Sequence, residues 1–174
     1  GFDPIGVIKV RSFLCHGNTQ AKSAMKRKPT LAINRATGDH STMTRTLFCF
    51  GYGLSYTWFE YYGLSLNHSQ LEAGQTLEIE LELRNAGAFD GDEVVQLYVR
   101  YLVASVTRPV RELKAFQRIH LTAGASTKVR FNLSCEDLSF YDNSGRLCLE
   151  PGKFHLWVGG DSRADLWAEF EMVN

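Results

Sequence analysis

Residues 76–84 read Thr-Leu-Glu-Ile-Glu-Leu-Glu-Leu-Arg, and the reading of this stretch decides the fold. Leucine and glutamate are both good helix formers, so propensity alone argues for a helix. The spacing argues otherwise. On a helix, Leu77, Ile79, Leu81 and Leu83 would scatter around the axis; on a strand they share one face, with Glu78, Glu80 and Glu82 on the other. The strict period of two predicts a β-strand with one face in a core and one in water.

The same period recurs along the chain. In Glu93 to Arg100, Val95, Leu97 and Val99 are expected to face inward, and Gln96, Tyr98 and Arg100 outward. Val129, Phe131 and Leu133 alternate with Lys128, Arg130 and Asn132. Phe154, Leu156 and Val158 alternate with His155 and Trp157. Leu166, Ala168, Phe170 and Met172 alternate with Trp167, Glu169 and Glu171. Turn chemistry separates the runs: Asn85 to Asp92 is rich in Gly, Asn and Asp, and Asp142-Asn143-Ser144-Gly145 reads as a hairpin turn. Leu71-Glu72-Ala73-Gly74-Gln75-Thr76 and Leu121-Thr122-Ala123-Gly124-Ala125-Ser126 place glycine at the same offset before a strand, which predicts one tight turn used twice. A short helical turn is expected at Ser134 to Phe140, with Ser134 capping and Asp137 three residues on. Seven or eight short strands between turns predict an all-β fold, a β-sandwich of immunoglobulin or fibronectin type III kind.

This order begins near residue 47. Residues 1–46 carry eight Lys/Arg against two Asp, a net of +6, whereas the remainder carries 11 basic and 17 acidic residues, a net of −6. The leading stretch holds one dense apolar run, Ile5 to Val10, with Phe13 and Leu14 after it, and is then polar and basic to Thr46. It reads as a poorly structured basic extension or linker, 1–46, ahead of a sandwich domain, 47–174. Lys26-Arg27-Lys28 has no aromatic interleaved as single-strand nucleic-acid binders require, so a nucleic-acid partner is not expected. No apolar run approaches twenty residues, so no membrane span is expected. Ile5 to Val10 is too short for a secretory signal, and its positive charge follows it rather than preceding it.

The chain offers little to cofactor or metal chemistry. Cys15, Cys49, Cys135 and Cys148 form no Cys-x-x-Cys pair, and the five histidines have no paired spacing, so no metal site and no cofactor are expected. Cys135 and Cys148 either bridge in an oxidising compartment or stay as buried thiols. The carboxylate groups Asp90, Asp92, Glu93 and Glu136, Asp137 are explained by turns and caps, and no catalytic residue is assigned.

Six stretches in order carry a resemblance: FGYGLSYT at 50–57, GDEVVQLYVR at 91–100, SVTRPVRELKAFQRIHL at 105–121, the LTAGAS turn, EDLSFYD at 136–142 and EPGKFHLWVGGDS at 150–162. Together they resemble the C-terminal fibronectin type III-like domain of glycoside hydrolase family 3, the β-glucosidase and β-xylosidase family. The resemblance covers roughly residues 47–174. Cys49 stands where the family usually has proline and Ala115 where it usually has glycine, and residues 1–46 resemble nothing of the family's preceding domain. The resemblance implies a non-catalytic accessory domain of a hydrolase acting on terminal β-glycosides in carbohydrate metabolism. The family's nucleophile and acid/base carboxylates lie in domains outside the matched region, so neither maps onto a position here. The resemblance also implies a secreted or periplasmic parent enzyme.

Two sets of side chains are candidates for function. Phe50, Tyr52, Tyr56, Trp58 and Phe59 form either a docking seam for the catalytic domains (and, when bare, for a second copy of the chain) or part of the sandwich's own core. Tyr98, Trp157 and Trp167 are expected on outward positions, where aromatics stack on sugar rings in a carbohydrate- or surface-binding module, or pack on cross-strand partners.

Overall fold

The computed structural model describes residues 48–173; the basic extension, Cys15 and the expected boundary at 46/47 lie outside them. The described chain runs β1 (Phe59–Leu66), β2 (Gln70–Leu71), β3 (Thr76–Asn85), β4 (Gly91–Tyr101), β5 (Glu112–Leu121), β6 (Ser126–Ser134), α1 (Cys135–Leu138), β7 (Phe140–Tyr141), β8 (Leu147–Cys148), β9 (Gly152–Gly159) and β10 (Leu166–Met172). Two sheets form the sandwich, one ordered β1-β3-β6 and one ordered β2-β10-β9-β4-β5; β7 and β8 make a separate hairpin.

The deciding stretch is β3, the centre of the smaller sheet. Leu77, Ile79, Leu81 and Leu83 are fully buried, while Glu78 and Glu80 reach toward water. They meet Val129, Phe131 and Leu133 of β6, and across the sandwich Val95, Leu97 and Val99 of β4, Leu156 and Val158 of β9 and Phe170 of β10. Tyr101, Phe154 and Phe170 stack in series, with centroids 4.5 and 5.2 Å apart. Each inward residue contributes about 1.5–3 kcal/mol on burial. Outward, the ladder is ionic: Glu80 accepts from Lys128 Nζ and Arg130 Nε at 2.7 Å each.

The two matching turns share one geometry. Gln75 N–H donates to Glu72 O and Ala125 N–H to Thr122 O, with Gly74 at φ 88° and Gly124 at φ 77°, where a side chain would be strained. Ser134 and Asp137 form a reciprocal capping box at α1. Cys135 and Cys148 are free thiols. Cys135 Sγ donates to Glu72 O and Gln75 O, and Cys148 Sγ donates to Phe140 O.

One expectation fails on β4. Gln96 and Tyr98 do not face water: residues 95–99 are buried on both faces. Tyr98 is 2% exposed and its hydroxyl donates to Gln96 Oε1, so it cannot stack on a ligand in this arrangement. The larger sheet has its outer face covered at this point, and the cover is what positions the candidate site.

Candidate docking surface

The cover is the segment ahead of β1. Phe50 O accepts from Ser162 N–H at 2.9 Å, which ties the segment to the loop between β9 and β10. Gly51 lies directly over the Gln96 carboxamide. Its φ is +80°, and a Cβ there would collide with Gln96, so only glycine allows the approach. Gln96 in turn donates through Nε2 to Gly160 O at 2.6 Å. Burial pushes the Cys49 thiol up, and the neighbouring Asp161 carboxylate adds to the rise.

Seven residues on, Thr57 anchors the other end. Its hydroxyl donates to Asn85 Oδ1, which also accepts from Gly87 N–H, while Asn85 Nδ2 donates to Phe89 O and Leu121 O. Both side chains are buried, Asn85 completely. The segment is therefore pinned at 50–51 and at 57.

Between and beside these pins the large side chains point away from the sandwich. Tyr56 is 95% exposed, Leu54 93% and Phe50 67%; Phe48 and Trp58 are also more than half exposed. Tyr52 is half-buried and stacks on Phe48 at 4.9 Å. Phe59 alone turns inward and packs on the core. Of the five seam residues, then, Phe59 belongs to the core, Tyr52 is shared with Phe48, and Phe50, Tyr56 and Trp58 are bare. On the same outer sheet face, Val94 and Phe116 are also exposed, Phe116 opposite Gln96 in the β4–β5 ladder. Sequence reading did not single them out.

The remaining aromatics lie farther along this sheet. Trp157 and Trp167 are direct cross-strand partners. Arg111 covers Trp157, with its guanidinium carbon 4.2 Å from the ring centroid, and donates through Nη1 to Ser162 O at 2.6 Å and Ala164 O at 2.9 Å. Burial works against the Arg111 charge and lowers its pKa; Asp165 and Asp161 oppose that shift. Trp157 is half-buried, whereas Trp167 is 41% exposed. His155 sits 5.0 Å from the Trp167 ring and pairs through Nε2 with Glu169 at 3.0 Å. Arg111 was missed as a placed residue, although its position in the SVTRPVRELKAF stretch was the signal.

The carboxylates have structural partners. Asp90 accepts from Ala123 N–H, and Asp137 caps α1. Arg118, with His120 beside it, holds the Asp92 carboxyl below the usual range, the reverse of what a general acid needs. Tyr61 donates to Glu93. Among the described residues no group of three or more His, Cys, Asp or Glu side chains is placed to hold a metal ion, and no helix is long and apolar enough to cross a membrane.

The fibronectin type III-like domain model matches residues 93–162. A β-xylosidase of Formosa agariphila is 42% identical over 119 residues, which are 68% of this chain and 16% of that protein. The periplasmic β-glucosidase of Salmonella typhimurium is 35% identical over 127 residues, 73% of this chain and 17% of its own length. Among solved structures, the Listeria innocua β-glucosidase in complex with glucose superposes with a TM-score of 0.68 at 38% identity, over 72% of this chain and 17% of that one. The chain spans about a sixth of the length of these relatives. Its sandwich, its motif order and these matches agree: the chain carries a fibronectin type III-like domain of the kind associated with glycoside hydrolase family 3.

Proposed function

We propose that this domain is a non-catalytic docking module of a family 3 β-glycosidase, held against the catalytic domains through the segment 48–58. The observation that carries the reading is the pinned display of Phe50, Leu54, Tyr56 and Trp58. A backbone fixed at both ends presents large apolar side chains at little further entropic cost on binding, and bare apolar side chains gathered on one segment support an interaction surface. Parent activity, by kinship with β-glucosidases and β-xylosidases, is hydrolysis of terminal β-glycosides by catalytic groups the matched region does not contribute.

The test is a chimera in which residues 48–173 replace the matched region of the Listeria innocua β-glucosidase. It should hydrolyse an aryl β-glucoside, and Tyr56→Ser with Trp58→Ser should lower its melting temperature more than the same changes lower that of the chain alone. Equal shifts in both settings would sink the docking reading. Measurable turnover by the chain alone, abolished by replacing one of its carboxylates, would sink the non-catalytic one.

A second reading rests on the bare ring of Trp167 beside His155, a platform on which a sugar face would stack. Retention of the chain on insoluble polysaccharide, lost in Trp167→Ala, would support it; passage straight through would end it.

A further inference from the structure

The seam is not held by its own residues alone. Its first pin is the Ser162 amide, and Ser162 lies in the loop joining β9 to β10. That loop needs an anchor of its own. Gly160 O is taken by Gln96 Nε2, and the carbonyls of Ser162 and Ala164 are both taken by the Arg111 guanidinium. Arg111 sits immediately ahead of β5, on a different part of the chain, and is laid on the Trp157 ring of β9. The peptide units on either side of Ser162 are thus held from two directions, Phe50 accepting the N–H and Arg111 donating to the carbonyl.

Resting on the docking reading for its purpose, but on this geometry for its content, we propose that Arg111 is the positioning residue of the docking surface. The flat guanidinium clamps the 160–165 loop to the β9 strand, and the loop in turn fixes where Phe50 and Gly51 lie. The shape of the group matters as well as its charge. A guanidinium offers donors in a rigid plane that also stacks on an indole face, whereas an ammonium is a point charge that stacks poorly and is more strongly hydrated. Lysine at this position would therefore keep the charge and lose the clamp.

Hydrogen exchange on the full chain decides the matter. In Arg111→Lys, peptides covering 48–57 and 160–165 should exchange about tenfold faster, while those covering β3 and β6 keep their protection, because only a local opening is made easier. Trp157→Phe keeps a ring under the guanidinium and should give a smaller change confined to the same two peptides. Arg130→Lys, on the outer face of the other sheet, should leave both peptides unchanged. Unchanged exchange at 48–57 in Arg111→Lys would overturn the proposal. So would acceleration spread evenly over all strands, since that describes a stability residue and not a positioning one. The docking reading is separable: in the Listeria chimera, Arg111→Lys should lower the melting temperature beyond its effect on the chain alone. If the exchange result holds while the chimera shows no such excess, Arg111 positions the segment and the segment does not dock.

Discussion

Gly51 and Asn85 show how single residues fix the segment ahead of β1. At Gly51 a methyl group would meet the Gln96 carboxamide and force a positive-φ backbone on an L-residue. Gly51→Ala should lift the segment off the larger sheet at a cost of about 1–3 kcal/mol. The checks are a lowered denaturant midpoint and an increase in Tyr98 accessibility. Asn85 is more central, because one carboxamide serves Thr57, Gly87, Phe89 and Leu121. Asn85→Ala leaves two carbonyls, an amide and the Thr57 hydroxyl without this partner in a buried or half-buried site. Each buried unsatisfied group costs about 1–3 kcal/mol, so a loss of several kcal/mol is expected in urea titration. Thr57→Val keeps the shape and removes one donor, and it should cost less than Asn85→Ala. A larger loss from Thr57→Val would show that the Asn85 network is not the anchor described.

At the scale of elements, β5 carries a pH dependence. Burial would raise the Glu112 carboxyl, but Lys114 and Arg108, bonded to it at 2.7 and 2.6 Å, outweigh burial and hold it below the usual glutamate range. A carboxyl whose folded pKa is depressed binds protons first in the unfolded chain. Its contribution is present above the ordinary glutamate pKa of about 4.3 and is lost as pH falls through the lower folded value. Glu112→Gln should therefore lower stability at neutral pH and flatten its decline below about pH 4.3, as read from melting temperature against pH. The elements also show what the sequence could and could not tell. β3 was legible because its alternation is a local property, and the capping box at α1 was legible for the same reason. Tyr98 was misread because its strand alternates just as cleanly, yet Gly51, some 45 residues earlier, lies over Gln96, and the buried Tyr98 donates to that same carboxamide. Periodicity says which side chains share a face; it does not say whether a second layer lies over that face. Arg111 escaped notice because its partners are backbone carbonyls fifty residues away, and carbonyls leave no trace in side-chain pattern. The seam was legible as an aromatic-glycine run, but whether its rings turned in or out was not; only Phe59 turned in.

Across the whole molecule, the decisive feature is a sandwich with a complete core that still leaves large apolar side chains bare on one side. Single exposed hydrophobics are ordinary on any protein surface, but Phe48, Phe50, Leu54, Tyr56 and Trp58 fall within eleven residues of chain and share one pinned segment. On the docking reading proposed above, a catalytic domain of a parent enzyme covers them. On that reading, a chain without such a domain offers the segment to the same segment of a second copy. The isolated chain should therefore associate with itself as concentration rises, seen as a concentration-dependent mass in sedimentation equilibrium and as binding of a hydrophobic dye that falls on association. Tyr56→Ser combined with Trp58→Ser should shift the chain toward monomer. Tyr56 is 95% exposed, so Tyr56→Ser alters folding stability by only about 0.5 kcal/mol or less; Trp58 is 51% exposed, and the melting temperature of the double variant separates a lost association from unfolding. Val103→Ser, at an exposed apolar position on the loop between β4 and β5, should leave the association intact. A chain that stays monomeric and dye-free at every concentration would mean that the bare segment is not a surface in need of a partner.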